Sequence, residues 1–473
     1  MQVLSVTSEL YPLIKTGGLA DVTGALPAAL KPHGITMKTL VPGCPAVMKV
    51  LQNAETIKSF PNLFGGAAKL LSANAKGLEV FVLDAPHLYN RPGNIYLGAD
   101  GKDWPDNAQR FAALSHVAAL LARGECGNYK ADILHAHDWQ AALAAVYLHY
   151  SGGPKSILTV HNIAFQGQFP AALFPQLGLP PQAFSVDGLE FYGNVGFLKG
   201  GLALANAITT VSPTYAQEIC TSDYGMGLEG LLRARRSVLH GFVNGIDADV
   251  WNPETDKSLR KNYSVKNLAD RAANKRAIEE RFKLDSGDGI LHGVVSRLTW
   301  QKGMDIFAGL LDWMVGTGAR LALIGTGEAA IEQAFMAAAL RHPGRIGIVA
   351  AYDENLSHMV QGGCDTMLVP SRFEPCGLTQ LYGLRYGCVP LVARTGGLAD
   401  TIIDANDAGL SAAVATGLQF SPVDAPSLQN VLARAAKLFE NEPVWQTIQK
   451  RGMASDVSWD HSAKAYAELY QTV

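Results

Sequence analysis

The sequence predicts an α/β protein built from two doubly wound domains, and three observations support this prediction. Short apolar runs alternate with helix-like runs along most of the 473 residues, as in buried parallel strands joined by crossover helices. A polar stretch at 245–285 interrupts the alternation, which then resumes. The hexapeptide TGGLAD occurs at 16–21 and again at 395–400, each time between a strand-like and a helix-like run. A chain of this length also exceeds what one core usually holds.

The first predicted domain covers residues 1–245. Its predicted strands are 3–7, 35–41, 80–83, 133–137, 157–161 and 207–211. Its predicted helices include 107–121, 140–149 and 200–206. The stretch 51–77 shows no regular period and is left unassigned.

The second predicted domain covers residues 246–457. Its predicted strands are 291–296, 321–324, 346–349, 366–370 and 390–393. Its predicted helices are 304–315, 329–340, 354–362, 378–386 and 427–440. Residues 458–473 are predicted to form a last helix. Doubly wound sheets bind ligands outside the carboxyl ends of their strands, so we expect the ligand there.

Composition excludes several classes of protein. With 48% hydrophobic and 17% charged residues the chain is typical of soluble globular proteins. The net charge of −3 offers no basic field for nucleic acid. The six cysteines form no CxxC pair, which argues against a zinc ribbon or a thioredoxin motif. No apolar run is long enough for a membrane span and no targeting segment is recognisable, so we expect a cytoplasmic protein without membrane contact.

The repeated glycine motif predicts two halves of one binding site. Paired glycines let a backbone approach a ligand closely, and a helix N-terminus favours anions or polar oxygens. The alternative is coincidence between two ordinary strand-to-helix turns. The candidate residues are Lys15, Gly18, Thr395, Gly396 and Gly397.

Two predicted strands of the first domain end in polar residues. His135 and His137 share one face, as metal ligands could, but no further ligand lies at a motif spacing, so a structural or ligand-contacting pair is favoured. Asp138 and Trp139 could bind a sugar, because the carboxylate can accept a hydrogen bond from a hydroxyl and the indole can pack against the apolar face of the sugar ring. Alternatively, Asp138 caps a helix and Trp139 is a packed core aromatic. His161 is a candidate for a sugar hydroxyl or for a core histidine.

The second domain contains a candidate diphosphate site. Arg297 and Lys302 follow the strand 291–296 and could neutralise a departing diphosphate, although both could also be solvated cations. Glu374 precedes a predicted helix that starts near Leu378 and Thr379. A carboxylate that binds the sugar, next to a helix N-terminus that binds the phosphate, would form a nucleotide-sugar site. The alternative is that Glu374 only caps the helix.

Two weaker motifs are present in the second half of the chain. Asp247 and Asp249 have the DxD form of some metal-dependent transferases, but turn-forming aspartates are the better interpretation. The segment 325–330 matches GxGxxA, which would indicate an NAD-dependent oxidoreductase. The carboxylate that this fingerprint expects is absent from 348–351, which argues against NAD.

Taken together, the motifs KTGGLAD, HAHDW, SRLTWQKG, SRFEPCGLTQLYG and TGGLADT resemble those of bacterial glycogen synthases and their starch synthase relatives, over nearly the whole chain. The resemblance implies the GT-B architecture, in which two Rossmann-like domains face a deep cleft and a last helix crosses back to the first domain. It also implies transfer of α-glucose from ADP-glucose to the 4-hydroxyl at the non-reducing end of an α-1,4-glucan, with retention and without a metal or other cofactor.

The resemblance assigns roles to individual residues. The implied catalytic set is Glu374, Arg297, Lys302, His161 and Asp138. The implied donor contacts are Lys15, Gly18, Asn244, Tyr352, Leu378 and Thr379. Trp139 and Tyr96 are candidate acceptor contacts. Many retaining GT-B transferases have a second glutamate eight positions after the first; here that residue is Tyr382, as in glycogen and starch synthases.

The sequence shows no paired carboxylates for a double displacement, so we favour a front-face path in which the leaving phosphate takes the acceptor proton. The alternatives are a related transferase using UDP-glucose or another acceptor, and a non-catalytic glucan-binding protein. The oligomeric state is not predicted.

Overall fold

The computed structural model describes residues 1–351 and 353–473, which form two compact units. The first contains residues 1–244 and 459–473, and the second contains residues 245–458. Each unit has its own main sheet. Within the described residues, no helix combines the length and the hydropathy needed to cross a membrane.

The elements are numbered in chain order. The strands are β1 (Gln2–Val6), β2 (Thr36–Pro42), β3 (Leu51–Leu63), β4 (Gly66–Ala75), β5 (Leu78–Asp84), β6 (Ile133–His137), β7 (Lys155–Val160), β8 (Gln168–Pro170), β9 (Glu190–Phe191), β10 (Asn194–Gly196), β11 (Ala207–Thr210), β12 (Leu239–Gly241), β13 (Leu291–Val295), β14 (Arg320–Ile324), β15 (Ile346–Val349), β16 (Thr366–Val369), β17 (Val389–Ala393) and β18 (Leu418–Phe420). The helices are α1 (Gly18–Leu30), α2 (Pro45–Met48), α3 (Pro86–Tyr89), α4 (Asn107–Ala122), α5 (Asp138–Ser151), α6 (Phe197–Leu204), α7 (Pro213–Glu218), α8 (Glu229–Ala234), α9 (Arg271–Phe282), α10 (Met304–Ala308), α11 (Leu311–Gly316), α12 (Ala329–Arg341), α13 (Glu354–Gly363), α14 (Thr379–Tyr386), α15 (Gly396–Thr401), α16 (Asp407–Ser411), α17 (Ala425–Phe439), α18 (Glu442–Ala454) and α19 (Asp460–Thr472). Short 3₁₀ helices cover Lys31–His33, Ala171–Leu177, Pro181–Ala183, Arg236–Val238 and Val265–Asp270.

The main sheet of the first unit is parallel except at one edge. Its order is β12-β11-β7-β6-β1-β2-β5-β4-β3, and only β4 runs against its neighbours. The chain leaves β1 toward β2 on one side and returns to β6 on the other, so the switch point lies between β1 and β6. The loops after these two strands therefore meet at the edge where such sheets bind ligands. The strands β8, β10 and β9 form a small antiparallel sheet.

The last helix of the chain is part of the first unit. In α19, Trp459 at the N-cap and Ala463, Tyr466 and Tyr470 along one face are buried in a cluster that also contains Val3 of β1. Their spacing of three to four residues is that of an amphipathic helix, and burying this face stabilises its docking.

The second unit contains an all-parallel sheet of the order β15-β14-β13-β16-β17-β18. Both of its faces are covered, because Leu321 and Leu323 of β14 belong to one apolar cluster and Ala322 and Ile324 to another. The chain reverses between β13 and β16, which places the switch point there. The two doubly wound α/β units confirm the predicted fold class.

Several elements differ from the prediction, among them α9, which lies in the polar stretch 245–285, and the three cases that follow. The unassigned stretch 51–77 forms the antiparallel hairpin β3–β4, whose edge strand β3 is mostly exposed and so lacks a buried-strand pattern. The predicted helix 304–315 is divided near Gly309 into α10 and α11. The three-residue strand β18 was not predicted, since it is shorter than any periodic signal.

Candidate active site

A buried glutamate supports the loop that follows β1. The side chain of Glu9, 3% exposed, accepts hydrogen bonds from the Thr16 N–H at 2.5 Å, the Thr16 hydroxyl at 2.5 Å and the Gly17 N–H at 3.2 Å. Above this support Lys15, Gly17 and Gly18 are exposed, and a Cβ at Gly17 would meet no atom within 4 Å. The first TGGLAD copy therefore leaves room for a ligand beside its backbone.

Tyr96 contacts the same carboxylate. Its hydroxyl donates to Glu9 Oε1 at 2.6 Å and lies 2.8 Å from Ser8 Oγ. Burial, followed by the charge of Glu9, raises the pKa of Tyr96 well above its ordinary value, so the phenol stays protonated as a donor. Tyr96 thus lies beside the β1 loop, and its contact with an acceptor stays a prediction.

Asp138 and His161 are brought together at the ends of β6 and β7. Asp138 begins α5 with φ +54°, and its Oδ1 accepts a hydrogen bond from the backbone N–H of His161 at 2.7 Å. Burial raises the pKa of Asp138 to about 7. The Nε2 atom of His161 lies 3.1 Å from the Nδ1 atom of His137. Burial lowers the pKa of His161 to about 3. Burial also lowers the pKa of His137 well below its ordinary value, so both imidazoles are neutral at physiological pH.

His135 is part of the support of the sheet. Its Nδ1 lies 2.7 Å from the Tyr470 hydroxyl of α19, and its Nε2 lies 2.5 Å from the hydroxyl of Thr159. His135 and His137 lie on one face, as their period predicts, with ring centroids 4.2 Å apart. Among the described residues, no three His, Cys, Asp or Glu side chains are grouped so as to hold a metal.

Trp139 is packed into the first unit. It is 8% exposed, and its ring meets Phe111 edge-on at 4.9 Å and Phe169 at 5.8 Å. Gly167 has φ +62°, and a Cβ at this position would lie 2.3 Å from the indole of Trp139, so only glycine fits here. The structure favours the packed aromatic that the sequence left as an alternative, and an acceptor contact by Trp139 stays a prediction.

In the second unit, the loops after β13 and β16 join a lysine to a glutamate. Lys302 Nζ lies 2.5 Å from Glu374 Oε2, which also accepts a hydrogen bond from Ser371 Oγ at 2.8 Å. Glu374, on the loop after β16, is only 7% exposed. Arg297, which shares the loop after β13 with Lys302, is exposed. The predicted sugar carboxylate and one predicted phosphate cation thus form an ion pair at the switch point of this sheet.

A glycine and an arginine fix the loop that carries Lys302. Gly303 has φ +67°, and a Cβ there would lie 2.0 Å from the Pro370 carbonyl oxygen, so the loop rests directly on the end of β16. Arg372 binds both carboxylate oxygens of Asp305, at 2.6 and 2.7 Å, and its guanidinium lies 4.4 Å from the centre of the Trp300 ring. The two loops at the switch point are therefore locked together.

The second TGGLAD copy packs against protein backbone. Gly396 has φ +43°, and a Cβ there would lie 2.0 Å from the Glu374 carbonyl oxygen; at Gly397 it would lie 2.2 Å from that of Cys376. The Gly397 N–H donates to the Glu374 carbonyl at 3.2 Å, and Thr395 is buried. These glycines therefore hold the segment that carries Glu374 in place. Their predicted contact with the sugar-nucleotide donor stays a prediction.

Comparisons with known proteins identify relatives of this chain. Residues 2–234 match the starch synthase catalytic domain, and residues 276–443 match the glycosyl transferases group 1 domain. The glycogen synthase of Mesorhizobium japonicum is 58% identical over 473 residues, covering 100% of this chain and 98% of its own. That of Rhizobium rhizogenes is 57% identical over 472 residues, covering 99% and 98%. The chain belongs to the glycogen synthase family.

A solved structure from this family's starch synthase relatives shows the same fold. The catalytic domain of Arabidopsis thaliana starch synthase IV, bound to ADP and acarbose, matches with a TM-score of 0.89 and 29% identity, over 99% of this chain and 98% of that one. The protein thus has the GT-B fold of the glycogen synthase family, with two Rossmann-like halves.

The GxGxxA segment has a packing role in this family member. A Cβ at Gly325 would lie 1.9 Å from the Ser296 carbonyl oxygen, and one at Gly327 would lie 2.2 Å from that of Leu298. The glycines let the end of β14 support the loop with Arg297. This role explains the motif without a dinucleotide.

The remaining predicted donor contacts occupy different positions. Thr379 is the first residue of α14 and follows Leu378, and both are half-buried. Asn244 is 7% exposed, and its Oδ1 has no hydrogen-bond partner among residues 1–351 and 353–473. Its contact with the donor stays a prediction. Tyr352, the predicted adenine contact, lies outside the described residues.

Sequence reasoning missed four supporting residues: Glu9, Ser371, Asp305 and Arg372. Ser371 and Arg372 stand inside the SRFEPCG motif, so their position beside Glu374 was a usable signal. Glu9 lies between β1 and the glycine loop, and a carboxylate there could have indicated a loop support. Asp305 has no local signal, because its partner Arg372 is 67 positions away.

Proposed function

We propose that this protein is an ADP-glucose-dependent α-1,4-glucan glucosyltransferase. It transfers α-glucose to the 4-hydroxyl at the non-reducing end of a glycogen-like glucan and retains the anomeric configuration. Membership of the glycogen synthase family supports the reaction class. The ADP and acarbose in the starch synthase IV structure support a nucleotide donor and a glucan-like acceptor.

The pairing of Lys302 with Glu374 is the observation on which this proposal depends. The ion pair lies at the switch point of a parallel sheet, where α/β proteins bind nucleotides. An ammonium group with three donors can hold Glu374 and still reach a phosphate oxygen. Arg297, exposed on the same loop, supplies a planar second cation. These charges would stabilise the diphosphate as it leaves.

The residues of the first unit fit the sugar side of the reaction. Asp138 and the neutral His161 offer an acceptor and a ring nitrogen for glucose hydroxyls. We infer a front-face path: the bond from the anomeric carbon to the β-phosphate oxygen breaks, the acceptor oxygen bonds on the same face, and the leaving phosphate takes the acceptor proton. The protein then contributes position and charge stabilisation.

Nucleotide release tests the proposal. The purified protein is incubated with ADP-glucose or UDP-glucose, with and without glycogen, in EDTA. We expect ADP release that requires glycogen and survives EDTA, because Arg297 and Lys302 supply the charge that a metal supplies in other transferases. Equal use of UDP-glucose would overturn the assignment of ADP-glucose as the donor. No nucleotide release from either donor would overturn the proposal of an enzyme and would favour a glucan-binding protein.

A matched pair of variants tests the role of Lys302. We expect Lys302→Ala to reduce kcat about a hundredfold or more, as for loss of other preorganised charge stabilisers. Lys283→Ala removes an exposed lysine of the same unit and should leave kcat unchanged. Near-full turnover by Lys302→Ala would refute the diphosphate role.

A further inference from the structure

An aromatic stack connects α13 to α14 in the second unit. The indole of Trp251 lies face to face with the ring of His358 on α13, with 3.7 Å between the centroids and 9° between the planes. The same indole lies face to face with the ring of Tyr382 on α14, at 3.6 Å and 13°. Trp251 belongs to neither helix, so its side chain is a spacer through which the two helices contact each other.

A turn formed by an aspartate places Trp251. The Oδ1 atom of Asp247 accepts hydrogen bonds from the backbone N–H groups of Asp249 at 3.0 Å and Val250 at 3.1 Å. The backbone N–H of Trp251 donates to the Asp247 carbonyl at 2.9 Å. Asp247 therefore has the turn-forming role that was favoured from the sequence, and this turn fixes the backbone from which the indole extends.

A buried carboxylate connects the same two helices a second time. The Oδ2 atom of Asp256 lies 2.7 Å from His358 Nδ1 and accepts a hydrogen bond from the Tyr386 hydroxyl of α14 at 2.6 Å. Burial alone would raise the pKa of Asp256, but the hydrogen bonds with His358 and Tyr386 lower it below its ordinary value. The carboxylate thus stays ionised, and a buried charge of this kind depends on its partners.

The helix held in this way carries the predicted phosphate contacts. Because α14 has only eight residues, about two turns, its direction depends on packing more than on its own hydrogen bonds. Tyr382 lies one turn after Thr379, the first residue of the helix, and its N–H donates to the Leu378 carbonyl at 3.0 Å. A displacement of the Tyr382 ring would therefore displace the N-terminus of α14, which follows the loop with Glu374.

We propose that Trp251 is a positioning residue for the nucleotide donor: stacked on His358 and Tyr382, it holds the N-terminus of α14 where its free N–H groups meet a phosphate of the donor. The inference rests on the proposed function, because it takes the diphosphate as the ligand of this helix end. Loss of the spacer should weaken the contact with the diphosphate and leave the binding of the acceptor unchanged.

Calorimetric titration of the full-length protein with ADP tests this role. We expect Trp251→Leu to raise the dissociation constant for ADP about tenfold, because leucine cannot stack on either ring and the helix end is then poorly supported. Trp251→Phe keeps an aromatic face and should recover most of the affinity. Trp313→Leu removes a half-buried tryptophan of α11 in the same unit and should leave the dissociation constant unchanged. A misfolded fraction lowers the stoichiometry of binding and not the dissociation constant.

A second variant and steady-state kinetics complete the test. His358→Asn keeps a donor for Asp256 but removes the ring that faces the indole, so it should raise the dissociation constant for ADP as well. In turnover assays Trp251→Leu should raise the KM for ADP-glucose and leave the KM for glycogen unchanged. Wild-type affinity for ADP in both Trp251→Leu and His358→Asn, or an equal loss of affinity in Trp313→Leu, would overturn the positioning role.

The titration also distinguishes this inference from the proposed function. If the wild type bound ADP but released none from ADP-glucose, then the proposed reaction would be wrong, and the ADP affinities of the variants would still decide the role of Trp251. If the wild type bound no ADP, both proposals would be wrong.

Discussion

Replacing Gly303 by alanine should test how the loop that carries Lys302 is positioned. The native φ of +67° costs a non-glycine residue about 1–2 kcal/mol. The new Cβ would also lie 2.0 Å from the Pro370 carbonyl oxygen, so the loop must move away from β16 by about 1 Å. Since such a displacement of a catalytic group can cost about a hundredfold, we expect kcat to fall by that order.

The assay compares Gly303→Ala with Gly316→Ala. Gly316 ends α11, where a Cβ would meet no atom within 4 Å and the backbone is not left-handed. Thermal unfolding should show a loss of stability for Gly303→Ala and none, or a slight gain, for the control. Nucleotide release from ADP-glucose with glycogen gives kcat. If Gly303→Ala kept both the wild-type unfolding temperature and wild-type kcat, then the loop would not depend on its contact with Pro370.

Three further predictions concern other parts of the site. Folding raises the pKa of Asp138 from 3.8 to about 7, so its contribution to stability is complete below about pH 4 and is lost as the pH rises through about 7. Asp138→Asn should therefore flatten the fall in unfolding temperature between about pH 4 and pH 7; an unchanged slope would contradict the raised pKa. Tyr470→Phe removes the hydroxyl beside His135 and should destabilise the first unit by about 1–2 kcal/mol in urea titrations without altering kcat. Arg372→Lys loses the bidentate hydrogen bonding to Asp305 and should lower kcat with little change in the unfolding temperature. A kcat equal to that of the wild type would show that the Arg372–Asp305 pair is dispensable for activity.

The central strands of both sheets could be predicted because they are buried on both faces. Predicted strand 133–137 coincides with β6, and predicted strand 321–324 lies within β14, since mostly apolar runs bounded by polar residues mark such strands. The hairpin β3–β4 could not be predicted in this way. Its edge strand β3 is largely exposed and has register shifts, so its side chains follow neither a continuous nor an alternating pattern.

The site was predictable in its residue types and less so in its contacts. Lys302 and Glu374 were both identified, but their ion pair spans 72 positions and depends on how β13 lies against β16. Glu9 was missed for a different reason. A single carboxylate after a strand has no distinctive spacing, and its role follows only from the loop N–H groups that surround it.

The two TGGLAD copies show why identical sequence does not imply an identical role. Both begin a helix, α1 at Gly18 and α15 at Gly396. The second copy follows β17 almost directly, whereas residues 7–15 separate the first copy from β1. At Gly17 the space that a Cβ would fill is empty and exposed, whereas at Gly396 and Gly397 it is occupied by the backbone of the Glu374 segment. The first copy can therefore admit a ligand beside its backbone, and the second acts through the glutamate that it supports. A glycine-to-alanine change should accordingly alter ligand affinity at Gly17 and the position of Glu374 at Gly396.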